Sequence, residues 1–143
     1  MSYDVAIFFN SSESKINNVK DQLANIFGIP FDSDEEPEAR VFGLEFYLSK
    51  RKSYLKDEEG MKFSDYSFQL EITSRIAGTD IIHPIGFMIA ETLSANTNDS
   101  VMFCLSSVEI LGAVFKNGKI INDKMSNLNE VIGNSRWNYS RNN

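Results

Sequence analysis

The first apolar run of the chain contains no polar position. Residues 5–9 read VAIFF, whereas a strand with one wet face alternates apolar and polar residues. Apolar side chains on both faces are typical of a strand that is covered on both sides of a sheet. We therefore predict a central strand over residues 3–9.

The next apolar positions recur at the spacing of an amphipathic helix. These positions are Ile16, Val19, Leu23, Ile26 and Phe27. Asn10, followed three residues later by Glu13, has the form of a capping box, and Gly28 and Pro30 are typical of a helix end. The pattern predicts a helix that is capped by Asn10 and closes at Gly28.

Two later segments alternate between apolar and polar residues, as half-buried strands do. The apolar positions are Phe42, Leu44, Phe46 and Leu48 in the first segment and Tyr66, Phe68, Leu70 and Ile72 in the second. We predict strands over residues 41–49 and 66–73. The second strand is expected to lie in an antiparallel sheet with its polar face open to water.

The remaining pattern predicts a second helix and a hairpin. Pro84 suits the first turn of a helix, and residues 101–105 form another run that is apolar on both faces. Asn117-Gly118, between two apolar runs, is the strongest short-range hairpin signal. A short terminal helix is predicted over residues 125–132.

These elements follow the order β-α-β-β-α-β-β-β with a terminal helix. Hairpin-linked strands and two helices in these positions favour an α+β fold, in which a mostly antiparallel sheet carries two main helices on one face. The first six elements match the order of a ferredoxin-like, split βαβ unit, and a C-terminal hairpin follows. We expect one domain over residues 1–132 and a polar tail over residues 133–143.

The charge and hydropathy of the chain argue against several classes of partner. Its 143 residues carry a net charge of −6, whereas nucleic-acid binding needs a basic surface to displace counterions. No segment has the roughly 20 apolar residues of a membrane span, and none resembles a targeting signal. We expect a cytoplasmic protein that binds neither nucleic acid nor membranes, and the oligomeric state is left open.

Side chains for catalysis and metal binding are scarce. The chain has one histidine, His83, and one cysteine, Cys104, which lies in an apolar run where an inert buried thiol is expected. No glycine-rich phosphate loop or nucleophile elbow is present, and the acidic segment 32–38 lacks the glycine and the spaced glutamate of a calcium loop. We expect a protein that is not an enzyme and has no metal or cofactor.

Two acidic segments are the clearest candidates for a binding surface. They lie at residues 32–38 and 57–59, and the second lies in a connection that is longer than an ordinary hairpin loop, as functional loops often are. Complementary charge speeds the encounter with a basic partner. Solubility alone would also account for these charges, so both interpretations stay open.

The C-terminal part of the chain adds a resemblance. Residues 91–121 read ETLSANTNDSVMFCLSSVEILGAVFKNGKII, a helix that runs into a strand and an Asn-Gly hairpin. This segment is similar to the closing portion of immunity proteins that neutralise bacterial polymorphic toxins, including those of contact-dependent growth inhibition. The resemblance implies a stoichiometric inhibitor that binds and blocks a toxin, often a nuclease with a basic cleft. It carries over no functional residue.

In such a complex, carboxylates would take the place of substrate phosphates, and tyrosines would serve as buried anchors. The predicted contact residues are Asp32, Asp34, Glu35, Glu36, Glu38, Tyr47, Tyr54, Asp57, Glu58 and Glu59. The main alternative is a structural or assembly subunit that oligomerises through an exposed sheet edge. A third possibility is a hydrolase that uses carboxylates near His83.

Overall fold

The architecture is that of a computed structural model, which describes residues 4–32, 35–58, 60–75, 79–105, 108 and 110–122. Within these residues, seven strands, two α-helices and one short 3₁₀ helix are formed. They are β1 (Val5–Phe9), α1 (Ile16–Phe27), β2 (Glu38–Val41), β3 (Leu44–Lys50), the 3₁₀ helix (Phe63–Asp65), β4 (Phe68–Ser74), α2 (Thr79–Thr97), β5 (Val101–Leu105), β6 (Ile110–Lys116) and β7 (Lys119–Asn122).

The strands form a single antiparallel sheet in the order β2-β3-β4-β1-β5-β6-β7. The predicted α+β class, with a mostly antiparallel sheet, is therefore confirmed, whereas the ferredoxin-like order stays a prediction. The predicted terminal helix over residues 125–132, the tail over residues 133–143 and the start of the first predicted strand lie outside the described residues.

β1 lies at the centre of the sheet and is buried on both faces, as its unbroken apolar run predicts. Val5, Ile7 and Phe9 belong to the cluster that also contains the buried residues of both helices. Ala6 and Phe8 point into a second cluster on the opposite face. Burying apolar surface on both sides of one strand makes it the structural centre of the fold.

In the helix-side core, α2 packs closely against β5. The ring of Phe87 meets the rings of Phe103 and Phe115 edge to face, at centroid distances of 6.2 and 5.0 Å. A Cβ at Gly86 would lie 2.8 Å from the Phe103 ring and 2.9 Å from a methyl group of Val5. Gly86 therefore allows the helix to approach the sheet at this point.

The opposite face of the sheet is covered by the connection between β3 and β4, which we call the cover segment (residues 51–67; residue 59 is not among the described residues). Met61, Phe63 and Tyr66 are buried in the second cluster, and the Phe63 ring meets that of Phe8 at 5.0 Å. The prediction that the polar face of β4 is open to water is thus wrong at Gln69, which is buried and accepts a hydrogen bond from the Lys52 N–H. Tyr66 packs on this side instead of with the other apolar residues of its predicted strand.

The strand predicted over residues 41–49 is confirmed from Leu44 onward as β3, whereas its first three residues belong to the end of β2 and the turn of a hairpin. β2 and β3 pair up to Val41 and Leu44, and the turn between them consists of Phe42 and Gly43 at φ angles of 52° and 77°. Two positive φ angles are the geometry of a tight hairpin turn. Phe42 therefore lies at the tip of the hairpin, and the core-facing alternation begins only at Leu44.

The predicted capping box of α1 is wrong, because Asn10 has other partners. Its side chain accepts a hydrogen bond from the Ser67 N–H and donates one to the Asp65 carbonyl, both at 2.9 Å, which fastens the end of the cover segment to β1. The helix begins at Ile16 without a side-chain cap. The predicted end is confirmed: Gly28 is left-handed and donates to the Ala24 carbonyl.

Pro84 lies inside α2 and not in its first turn, because the helix already begins at Thr79. The earlier start brings Ile82 into the core, where it is fully buried, and this burial favours the extension. The Asn117-Gly118 hairpin is confirmed, since both residues have positive φ and connect β6 to β7.

Candidate functional site

An open groove lies where the acidic loop before β2 meets the second half of β3. Its volume is about 690 Å³. The lining residues are Ile16, Glu35, Glu36, Pro37, Glu38, Tyr47, Leu48, Ser49, Lys50, Lys52 and Glu71. Four of the ten predicted contact residues, three glutamates and one tyrosine, are thereby brought together, and we call this the acidic groove.

Backbone hydrogen bonds hold the acidic loop against β3. The Pro37 carbonyl accepts a hydrogen bond from the Leu48 N–H at 3.0 Å, and the Glu38 carbonyl accepts one from the Asp32 N–H at 2.8 Å. Pro37 itself is buried. The glutamates on either side of it are therefore displayed on a fixed support rather than on a free loop.

The wall of the groove formed by β3 and β4 is set by strand register. Tyr47 pairs with Glu38 on one side and with Glu71 on the other, so the three side chains share one face of the sheet. Lys50 and Lys52 follow at the end of β3 and add two positive charges to the rim. The groove thus offers four carboxylates and two ammonium groups around one aromatic ring.

A hydrogen bond to Glu45, two residues earlier on β3, fixes the orientation of the Tyr47 side chain. The Tyr47 hydroxyl donates a hydrogen bond to the Glu45 carboxylate at 2.5 Å, and that carboxylate also binds Arg75 and lies 3.4 Å from Nε of Arg40. The Glu45 side chain is only 6% exposed. These bonds raise the pKa of Tyr47 and hold the pKa of Glu45 below its ordinary value, although burial of Glu45 acts the other way.

This lowered pKa leads to a prediction on pH. A carboxyl whose pKa is lower in the folded state stabilises the fold above its ordinary pKa and loses that contribution as the pH falls through the lowered value. We expect Glu45→Gln to reduce the free energy of unfolding near neutral pH, and the difference from wild type to shrink as the pH falls below the ordinary pKa of a glutamate. Urea unfolding at stepped pH measures it. Glu58→Gln is the control, and a difference at Glu45 that stays constant with pH would contradict the assignment.

The second acidic segment does not line the groove. Asp57 accepts hydrogen bonds from the Ser64 N–H and hydroxyl, at 2.9 and 2.5 Å, and these bonds lower its pKa. It therefore supports the 3₁₀ helix of the cover segment. Glu58 is exposed and its backbone pairs with Met61; Tyr54 is 74% exposed.

The other predicted contact residues are distributed as follows. Asp32 is exposed but does not line the groove, and Asp34 and Glu59 lie outside the described residues. Three charged groove residues, Lys50, Lys52 and Glu71, are absent from the predicted set. The β3–β4 register places Glu71 beside Tyr47, which no local sequence signal reveals.

The two scarce side chains lie away from the groove. Burial lowers the pKa of His83, whose Nδ1 has no hydrogen-bond partner among the described residues. Burial raises the pKa of the Cys104 thiol to about 12, so it is almost entirely protonated at neutral pH and unreactive. Neither residue lines the acidic groove.

Comparisons add no relative. Among the described residues, no three His, Cys, Asp or Glu side chains are grouped so that they could hold a metal ion. In the same part of the chain, no helix is both long and apolar enough to cross a membrane. The chain matches no family model, no curated protein and no solved structure.

Proposed function

We propose that the protein is a non-catalytic binding module that takes up a basic surface of a partner protein in the acidic groove. The observation that carries this proposal is the meeting of Glu35, Glu36, Glu38 and Tyr47 in one groove on a fixed support. An aromatic ring surrounded by carboxylates suits lysine and arginine side chains, which pair with the charges and stack on the ring.

The two lysines on the rim restrict which partner fits. Lys50 and Lys52 repel an evenly basic surface and attract acidic residues beside it. A partner with basic side chains flanked by a carboxylate matches this arrangement better than a uniformly cationic one. Charge of both signs in one site favours specificity over unspecific attraction.

We further propose that this partner is a toxin and that binding neutralises it. This part rests on the resemblance of residues 91–121 to toxin immunity proteins, on the net charge of −6 and on the basic clefts of nuclease toxins. An inhibitor needs only to occupy the cleft, so it requires no catalytic residue. The proposed place of action is the cytoplasm, where the reduced Cys104 suits the redox state.

A second candidate, assembly through a sheet edge, is favoured by one observation. β7 pairs with β6 and with no other described strand, and its Ile120 and Ile121 are exposed. An edge strand with exposed apolar side chains is a template for pairing with another chain. This candidate predicts a homo-oligomer whose formation does not depend on the acidic groove.

The test is a capture experiment with three full-length baits in an extract of the native host. They are the wild type, the groove variant Glu35→Lys/Glu38→Lys, and the control variant Asp21→Lys/Glu58→Lys. Glu35 and Glu38 make no hydrogen bond or ion pair with other described side chains, so we expect their replacement to leave the fold intact. The control changes the net charge by the same amount and replaces no residue that lines the groove.

We expect the wild type and the control to retain one basic protein in stoichiometric amount at low salt, and the groove variant to lose it. The captured protein, expressed alone, should harm the host, and co-expression of the wild-type chain should restore growth. Equal retention by all three baits contradicts the groove assignment. Recovery of the chain alone, as an oligomer, favours assembly.

A further inference from the structure

The tip of the β2–β3 hairpin carries an aromatic side chain in a position that folding does not favour. Phe42 is 93% exposed, and its φ is 52°. Asn, Asp and Gly are the residues that suit this turn position, because they tolerate positive φ and are polar or small. A phenylalanine tolerates positive φ poorly and exposes a large apolar ring to water. A single exposed apolar residue is ordinary, but one that also occupies an unfavourable backbone conformation suggests a role outside folding.

Two arginines stand beside this phenylalanine. Arg40 lies on β2, and Arg75 follows β4 and donates its backbone N–H to the Gly43 carbonyl in the turn. Each arginine side chain is 70% exposed. The carboxylate of Glu45 pairs with both and orients them, but one negative charge leaves the tip positive on a chain whose net charge is −6.

The β2–β3 hairpin carries the tip at one end and contributes Glu38 and residues 47–50 to the acidic groove at the other. Tyr47, in the wall of the groove, lies on β3 five positions after Phe42, so the two residues are at most about 17 Å apart. Tyr47 and both arginines are bound to the same carboxylate of Glu45. An ordinary protein interface covers about 800 Å² per partner, which is wide enough to include both features.

We propose that Phe42 is the apolar anchor of the interface whose charged part is the acidic groove, and that it enters an apolar pocket rimmed by carboxylates on the same basic partner. The inference rests on the proposed function. Phe42 fills the pocket, and Arg40 and Arg75 pair with its rim. A phenylalanine flanked by arginines has the composition of an interface core, in which aromatic residues and arginine are enriched.

A protein fits this surface better than a membrane does. One aromatic side chain and two arginines bury little apolar area in a bilayer. The glutamates of the groove, Glu35 and Glu38, would repel the anionic lipids that attract arginine. A protein can instead offer opposite charges at the two ends of the hairpin.

The test places the photo-crosslinking amino acid p-benzoylphenylalanine, in the full-length chain in host cells, at one of three positions. They are Phe42, Glu35 in the groove, and Tyr54, an exposed aromatic residue outside both features. In parallel, the purified variants Phe42→Asn and Tyr54→Asn are titrated with the captured basic protein. Phe42→Asn suits the turn, so its melting temperature should equal or exceed that of the wild type.

We expect positions 42 and 35 to cross-link to the same basic protein and position 54 to give no product. Phe42→Asn should bind that protein about thirty-fold more weakly, as for the loss of a central anchor, and Tyr54→Asn should bind it like the wild type. Cross-linking from position 35 without position 42, or undiminished binding by Phe42→Asn, overturns the inference and leaves the proposed function standing. A cross-linked product of two copies of the chain also overturns it. The same holds if the wild-type chain binds phosphatidylserine–phosphatidylcholine vesicles and Phe42→Asn does not. No product from either position overturns both proposals.

Discussion

Reversing the charges of Glu35 and Glu38 to lysine should slow association with the basic partner by about ten-fold to a thousand-fold at low ionic strength. Both side chains line the acidic groove, and charges that face the approaching partner act before contact is made. Electrostatic steering of this kind governs the association rate more than the dissociation rate. Stopped-flow mixing of the full-length chain with the captured partner measures both rates.

Two controls separate the groove from the overall charge. Asp21→Lys/Glu58→Lys changes the net charge by the same amount but lies outside the groove, so its association rate should fall much less. Raising the salt should narrow the gap between the groove variant and the wild type, because the screening length falls from about 10 Å at 0.1 M to about 3 Å at 1 M. Equal rates for the two variants would show that only net charge matters.

The second large effect concerns the cover segment. Phe63→Ala should reduce the free energy of unfolding by about 3–5 kcal/mol, the usual range for removal of a buried phenylalanine. Phe63 is buried, meets Phe8 edge to face and belongs to the cluster that contains Cys104. Urea unfolding measures the loss of stability.

Cys104 also reports whether the loss is local. Its thiol, with a pKa of about 12, reacts with a disulfide reagent only when water reaches it. Phe63→Ala should therefore speed thiol modification under native conditions more than Phe87→Ala, an equally disruptive change on the helix side of the sheet. If the rate of thiol modification rises in both variants only in proportion to the lost free energy of unfolding, the cover segment does not open independently of the rest of the fold.

The parts of the fold that could be predicted from sequence are those encoded by short-range pattern. The unbroken apolar run of β1 indicates its covered position, and Asn117-Gly118 indicates its hairpin, because both signals depend on neighbouring residues alone. The glycine that ends α1, Gly28, is of the same kind.

The errors arise where tertiary contacts overrule local pattern. Phe42 continues the alternation of β3 but falls in the turn, because the partner strand β2 ends at Val41. Asn10 has the sequence signature of a helix cap, yet it bonds to the cover segment, far away in sequence. The cover segment itself has no periodicity, so its burial depends on single side chains such as Phe63.

The exposed glutamates of the acidic groove could be predicted from the sequence, whereas its shape and most of its other lining residues could not. The exposed carboxylates of Glu35, Glu36 and Glu38 follow from composition, since a run of charges stays in water. Their meeting with Glu71 depends on the pairing of β3 with β4 and on the contact between Pro37 and Leu48. Such long-range register has no signature in a single sequence.

The central claim is that the partner binds in the acidic groove. The most direct test is a titration of the isotope-labelled 16.2 kDa chain with the captured basic protein, in which the changes in amide chemical shift are measured. The account predicts that the largest shifts fall on residues 35–38 and 47–52, with a second group at the hairpin tip. Shifts confined to β7 (Lys119–Asn122), with the groove unchanged, would contradict it and would favour assembly through the sheet edge.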